Sequence, residues 1–328
     1  PPPPPPIPPP PPPPPPRIEC RRQRQMCIRD RLGAAYAQYQ AVRDTFAEAS
    51  QVLGYDMWDL IQNGEQDALN LTETTQPVLL TSSVALWRAW REQGGVQPAM
   101  MAGHSLGEFS ALVCAGALGF ADGVQLVRQR GAFMQSAVPV GEGAMAAIIG
   151  LDDESINRIC SEVAKQCEAV VAAVNFNSPG QVVIAGQTSA VDAAITALKE
   201  AGAKRAMPLP VSAPFHTELM RPAGEQLDEA IAGISVAAPE VPVVHNVNGA
   251  TESDPERIRQ LLVEQIYSPV QWTQCIQSIA EAGLTRVVEC GPGKVLSGLN
   301  RRIDKSLQSF SLEEPDALAA TLAELNND

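Results

Sequence analysis

Ala99-Met100-Met101-Ala102-Gly103-His104-Ser105-Leu106-Gly107-Glu108, followed at once by the helical run FSALVCAGAL, decides how this sequence is read. A short apolar run, a tight turn flanked by glycines and a helix start form the strand–turn–helix setting in which G-x-S-x-G acts as a nucleophile elbow. Small residues on either side let the chain turn sharply and expose the Ser105 hydroxyl. The Leu106 N–H, at the head of the following helix, can face an oxyanion, and the helix N-terminus adds positive potential.

Around this turn the chain alternates strands and helices. Residues 33–53 carry Tyr36, Tyr39, Val42, Phe46 and Leu53 at helical spacing. Gln76–Gln93 predicts another helix, with Pro77 near its first turn. From 144 the order is strand (144–151), helix, strand (169–176), turn, strand (181–186), helix, strand. That β-α-β-β-α-β succession is the order of a ferredoxin-like unit. The pattern then returns to the first body through VPVVHNV (241–247), a helix near 255–266 and TRVVECGPG (285–293). The expected fold class is α/β: a mostly parallel, doubly wound sheet with helices on both faces, plus an inserted ferredoxin-like α+β subdomain. The expected boundaries are 32–139 and 209–328 for the large catalytic domain and 140–208 for the insertion.

Composition narrows the classes. In 328 residues, 45% are hydrophobic and 19% charged, which is ample for a buried core. No stretch approaches the roughly 18 apolar residues of a membrane helix. The net charge is −13; residues 1–31 hold six Arg against Glu19 and Asp30, leaving −17 for the remainder by difference. Such a body repels nucleic acid. The seven cysteines form no C-x-x-C pair, so neither a zinc site nor a disulfide framework is expected, and a reducing, cytoplasmic compartment is. Cys114, in an apolar helical run, reads as a buried inert thiol. Fifteen of the first sixteen residues are Pro and an Arg-rich run follows. Residues 1–31 are therefore expected to be a disordered, non-native leader.

A serine nucleophile needs a base, and the sequence holds three histidines: His104, His216 and His245. His104 adjoins the nucleophile at a sharp turn, where neighbouring side chains diverge, so it is expected to line the pocket or pack beneath it. His245 follows VPVV at a strand end and reads as structural. His216, in VSAPFHTELM, is the candidate base by elimination and position. Read by itself, Arg130 is a surface ion-pair residue.

GHSLGEFSALVCAGAL, RQRGAFMQ, GAMAAIIGL, NFNSPGQVVIAG, PLPVSAPFHTELM, SPVQW and GPGKVL occur in this order. Over roughly residues 32–328 the chain resembles the malonyl-CoA:acyl-carrier-protein transacylases of bacterial fatty-acid synthesis, whose fold is a hydrolase-like α/β domain with a ferredoxin-like insertion. The resemblance implies that Ser105 is acylated and that His216 serves as base and then as acid. It implies that Arg130 grips the free malonate carboxylate, that Leu106 supplies an oxyanion N–H and that the Gln271 main-chain carbonyl orients the histidine. Phe215, before the base, suits a small malonyl pocket, whereas Asn175, Asn177 and Gln181 are expected to hold the insertion's hairpin. The implied reaction is ping-pong, with malonyl-CoA and the phosphopantetheine thiol of acyl carrier protein as substrates, no cofactor or metal, and a monomeric enzyme. Arg301, Arg302 and Lys305, or Lys204 with Arg205, are candidate patches for an acidic carrier protein.

One departure stands out. The family opens with a strand ending in a G-Q-G-S-Q loop whose first Gln gives a second oxyanion N–H, and this sequence has no such motif. Weak activity and an exposed sheet edge are the expected results. Two other readings remain at this level: a serine esterase sharing the elbow, and an inactive homologue.

Overall fold

The computed structural model describes residues 32–211 and 213–326. The calls on residues 1–31 lie outside them. Helix α1 (Gln40–Leu53) buries Val42, Phe46, Ala49 and Leu53 along one stripe and ends on Gly54, whose φ of 77° makes the left-handed cap. Tyr39 is buried just before it, and Tyr36 stacks on Trp58 with ring centroids 3.8 Å apart.

Helix α2 runs Thr72–Glu92, so it begins four residues before the predicted Gln76 and holds Pro77 inside rather than at its start. Pro77 lacks an N–H, but so near the N-terminus this forfeits only one bond of a 21-residue helix. Burial of Val78, Leu80, Val84, Ala85, Leu86 and Ala89 outweighs that loss. Helix α2 packs against α1, α3 (Leu106–Cys114) and α4 (Phe120–Ser136).

Within this body, β1 (Met101–Ala102) pairs in parallel with β6 (Val243–Val244). Strand β7 (Arg286–Glu289) pairs in parallel with β8 (Gln308–Ser311). Among the described residues these are two separate two-stranded sheets. They still share one layer. Met101 and Val288 point into one apolar cluster, while Met100, Ala102 and Val287 point into another. Strands alternate their faces, so β1 and β7 lie between the same two apolar layers without hydrogen-bonding to each other. Both are half-buried, unlike fully buried β6.

The insertion is continuous. Strands β2 (Gly143–Ile149), β3 (Val171–Ser178), β4 (Gln181–Gln187) and β5 (Arg205–Pro208) form one antiparallel sheet in the order β3-β4-β2-β5. Helices α5 (Asp153–Cys167) and α6 (Thr188–Glu200) close an apolar core with Ile148, Val171, Val182 and Ile184. This is the predicted ferredoxin-like unit, and with the parallel pairs it bears out the α/β fold class. The opposite face places Met145, Val174, Val183 and Ala185 against Leu209 and Phe215.

Three further helices complete the frame for the site: α7 (Arg221–Ile231), α8 (Pro255–Tyr267) and α9 (Trp272–Glu281). Val270, in the loop between α8 and α9, joins insertion to body: its N–H donates to Val174 O at 2.8 Å, and its carbonyl accepts from Phe176 N at 3.0 Å.

Candidate active site

Ser105 stands between β1 and α3 with φ 53° and ψ −106°, a conformation that a side chain rarely adopts. Gly103 makes the turn possible, since a Cβ there would lie 1.9 Å from the Gly107 carbonyl carbon. Asn246, two residues beyond β6, fastens both sides of the turn. Its Oδ1 accepts the Ser105 N–H at 2.6 Å, and its Nδ2 donates to Gly103 O at 2.7 Å. Leu106 opens α3, so its N–H has no preceding helical carbonyl to use.

His216 also has a positive φ, 64°. Thr217 Oγ1 closes its loop by donating to Pro214 O at 2.7 Å, and Pro214 packs where a Cβ on Gly143 would stand. The buried imidazole spans two partners: Nε2 lies 2.8 Å from Ser105 Oγ, and Nδ1 lies 2.8 Å from the Gln265 main-chain carbonyl. A carbonyl only accepts, so Nδ1 carries the hydrogen and the Nε2 lone pair faces the serine hydroxyl. Burial, reinforced by the nearby Arg130 charge, pushes the imidazole down to about 3. At neutral pH it is an unprotonated base.

The orienting carbonyl corrects an expectation. It belongs to Gln265, not Gln271. Gln265 lies in the last turn of α8, where carbonyls have no intrahelical donor and are free to accept from outside. Gln271 instead caps α9, and its N–H donates to Asn246 O at 2.8 Å.

Arg130 is not a surface residue. It is 2% exposed, and its Nη2 donates to Ser105 Oγ at 3.0 Å and to Gln265 Oε1 at 2.8 Å. Nη1 donates to Gln76 Oε1 at 2.7 Å, and Phe109 lies beneath the guanidinium with its ring centroid 5.2 Å away. Burial lowers the group to about 10, against the favourable pull of Glu108, so it stays charged. Among the described residues its Nε has no hydrogen-bond partner.

His104 turns away from the serine hydroxyl. Its Nε2 contacts Asn177 Oδ1 at 2.8 Å, its ring tilts against Trp272, and burial lowers its pKa. Phe215 packs between body and insertion. Lys204, Arg205 and Arg302 line one cleft of about 770 Å³ between insertion and body, so cations expected on two separate patches share a surface. Among the described residues no group of three His, Cys, Asp or Glu could hold a metal ion, and no helix is long and apolar enough to cross a membrane.

Sequence reasoning missed Asn246, Gln265, Gln76 and Glu108. Glu108 left a trace, as a carboxylate inside an apolar helical run. Asn246 and the two glutamines left none, because their roles depend on contacts between residues far apart in the chain.

A hydroxyl held between an uncharged imidazole and a guanidinium suits transfer of an acyl group, and residues 33–322 match the family model for the acyl transferase domain. The chain belongs to that family and, within it, to the malonyl CoA-acyl carrier protein transacylases. It is 57% identical over 288 residues to the malonyl CoA-acyl carrier protein transacylase of Salmonella typhimurium, covering 88% of this chain and 93% of that one. The solved transacylase of Coxiella burnetii superimposes with a TM-score of 0.88 at 46% identity, over 90% of this chain and 92% of that one. A malonyl-transacylase solved in complex with a type II polyketide acyl-carrier protein gives 0.87 at 51% identity, over 89% and 94%.

Proposed function

We propose that this chain moves a malonyl group from coenzyme A to the phosphopantetheine thiol of acyl carrier protein through an ester on Ser105. One observation carries the reading: Ser105 Oγ sits 2.8 Å from the neutral His216 Nε2 and 3.0 Å from Arg130 Nη2. His216 takes the hydroxyl proton as Oγ attacks the thioester carbonyl. Gln265 O stabilises the imidazolium that forms, in the place a carboxylate would take in a triad. The Leu106 N–H faces the developing oxyanion. The tetrahedral intermediate collapses, the C–S bond breaks and His216 returns the proton to the coenzyme A thiolate. The carrier thiol then attacks the ester by the same steps in reverse.

Arg130 selects the acyl group. A buried guanidinium with an unsatisfied Nε costs about 1–3 kcal/mol, and a free carboxylate on the arriving acyl group offsets that cost through charge-assisted bonds. An acetyl group has none to offer. His104 and Phe215 shape the pocket. The cleft lined by Lys204, Arg205 and Arg302 offers an acidic carrier protein a cationic surface on an otherwise acidic body. We place the reaction in the cytoplasm, with a monomeric enzyme and no cofactor; the described cysteines are all free thiols.

Intact mass after brief exposure to malonyl-CoA tests the reading. One malonyl adduct is expected, absent in Ser105→Ala and weak in Arg130→Ala. An adduct that survives Ser105→Ala, or rapid ester hydrolysis without carrier protein, would overturn it.

A further inference from the structure

Glu108, the third residue of α3, is fully buried, and no step of the transfer uses it. A buried carboxylate is costly unless every lone pair is engaged. Here Oε1 accepts from His245 Nδ1 at 2.7 Å, while Oε2 accepts from Asn246 N at 3.0 Å and from Gln265 Nε2 at 2.7 Å. The last contact decides which way the Gln265 amide points. Its Nε2 donates to Glu108 and, at 3.0 Å, to Ser105 O, which turns its Oε1 toward Arg130 Nη2 at 2.8 Å. A flipped amide would set NH2 against the guanidinium and leave the carboxylate facing an oxygen. An anion, an aligned amide dipole and a cation thus stand in series and end at Ser105 Oγ.

We propose that Glu108 is a positioning residue for acyl selection: acting through the Gln265 amide, it holds Arg130 beside Ser105 and serves as its counter-charge before an acyl carboxylate arrives. This rests on the reading of Arg130 as the carboxylate-binding group. Glu108 touches neither substrate nor reacting atoms, and its effect falls on discrimination rather than on nucleophilic power.

Glu108→Gln isolates the charge. The glutamine Oε1 can still accept from Asn246 N and Gln265 Nε2. Its NH2 can donate to His245 Nδ1 once that ring moves its hydrogen to Nε2, which has no partner among the described residues. The experiment compares acylation of Ser105 by malonyl-CoA, followed by intact mass, with acylation by p-nitrophenyl acetate, an uncharged acyl donor followed by nitrophenolate release. The expected result is about a tenfold fall in kcat/KM for malonyl-CoA with the acetate rate within about threefold of wild type. Gln265→Met, which keeps the main-chain carbonyl for His216, should lower the malonyl-to-acetyl ratio similarly, and adding Glu108→Gln should change it little further. If Glu108→Gln fails to fold by circular dichroism, the Gln265→Met ratio decides alone. A ratio that holds or rises, two rates that fall together, or additive effects in the double variant would each overturn the role of Glu108. Arg130→Ala separates the two claims. If it leaves the ratio unchanged, the reading of Arg130 fails; if it collapses the ratio while Glu108→Gln does not, only the inference about Glu108 fails.

Discussion

Among the described residues, the insertion's sheet and the parallel strands of the body are built to different degrees of completeness. In the insertion, each of four strands pairs along its length, and β2 and β4 are hydrogen-bonded on both sides. In the body, the parallel strands of the described residues form two separate pairs, β1–β6 and β7–β8, and β1 and β7 are half-buried. The site sits wholly on one side of that split. Ser105 lies in the turn after β1, Asn246 in the loop after β6, Gln265 in the last turn of α8 and Arg130 in α4, and their mutual bonds never pass through β7. Sheet continuity and site geometry are therefore separable here. The insertion derives its order from a backbone ladder, whereas the active site derives its order from a buried polar network in which Glu108, Asn246 and Gln265 tie Ser105 and Arg130 together.

The largest contrast is expected in stability. Ile184, fully buried at the centre of β4, should cost about 2–5 kcal/mol on conversion to Ala. Val288, half-buried on β7, should cost about 1 kcal/mol, and urea unfolding of the two variants reads the difference. Equal losses would mean that the split layer is as tightly held as the insertion.

Next is the elbow. A Cβ on Gly103 meets backbone 1.9 Å away, so Gly103→Ala must displace Ser105 and should lower the malonylation rate about 100-fold, measured by quenched intact mass. Its urea midpoint should move far less than that of Ile184→Ala, which would sharpen the separation of site from scaffold. Hydrogen exchange gives a smaller effect. Amides of β7 should exchange about tenfold faster than those of β4, because a two-stranded edge opens locally.

The smallest effect concerns pH. His216 titrates near 3 in the folded protein against 6.5 when unperturbed, so malonylation should vary less than about twofold between pH 5 and 8. The unfolded chain takes up this proton first. The contribution of His216 to stability is therefore complete above about 6.5 and is lost as pH falls toward 3. Arg130→Ala removes a charge that depresses the imidazole, and an acid limb should move up toward neutrality in that variant.

Much of the fold was legible because local patterns carry it. Alternating apolar runs and turn residues placed β2 to β5 within a few residues, and the G-x-S-x-G turn placed Ser105. Helix α2 starts before the predicted Gln76 because Pro77, which resembles an N-terminal signal, is tolerated within the first turns of the helix. The SPVQW motif pointed to Gln271, whereas the carbonyl that meets His216 belongs to Gln265, six residues earlier. Only the end of α8 shows which carbonyl is left without an intrahelical donor.

By itself the sequence determined the α/β class, the β-α-β-β-α-β order of the ferredoxin-like unit and the candidate pair of Ser105 and His216, since each rests on residue types at short, fixed spacings. Tertiary structure alone decided that Arg130 is buried against Ser105, that Gln265 serves both the base and the guanidinium, and that Glu108 stands behind them. Those facts join residues 25 to 160 positions apart, and a buried polar group is defined by its partners rather than by its neighbours in the chain.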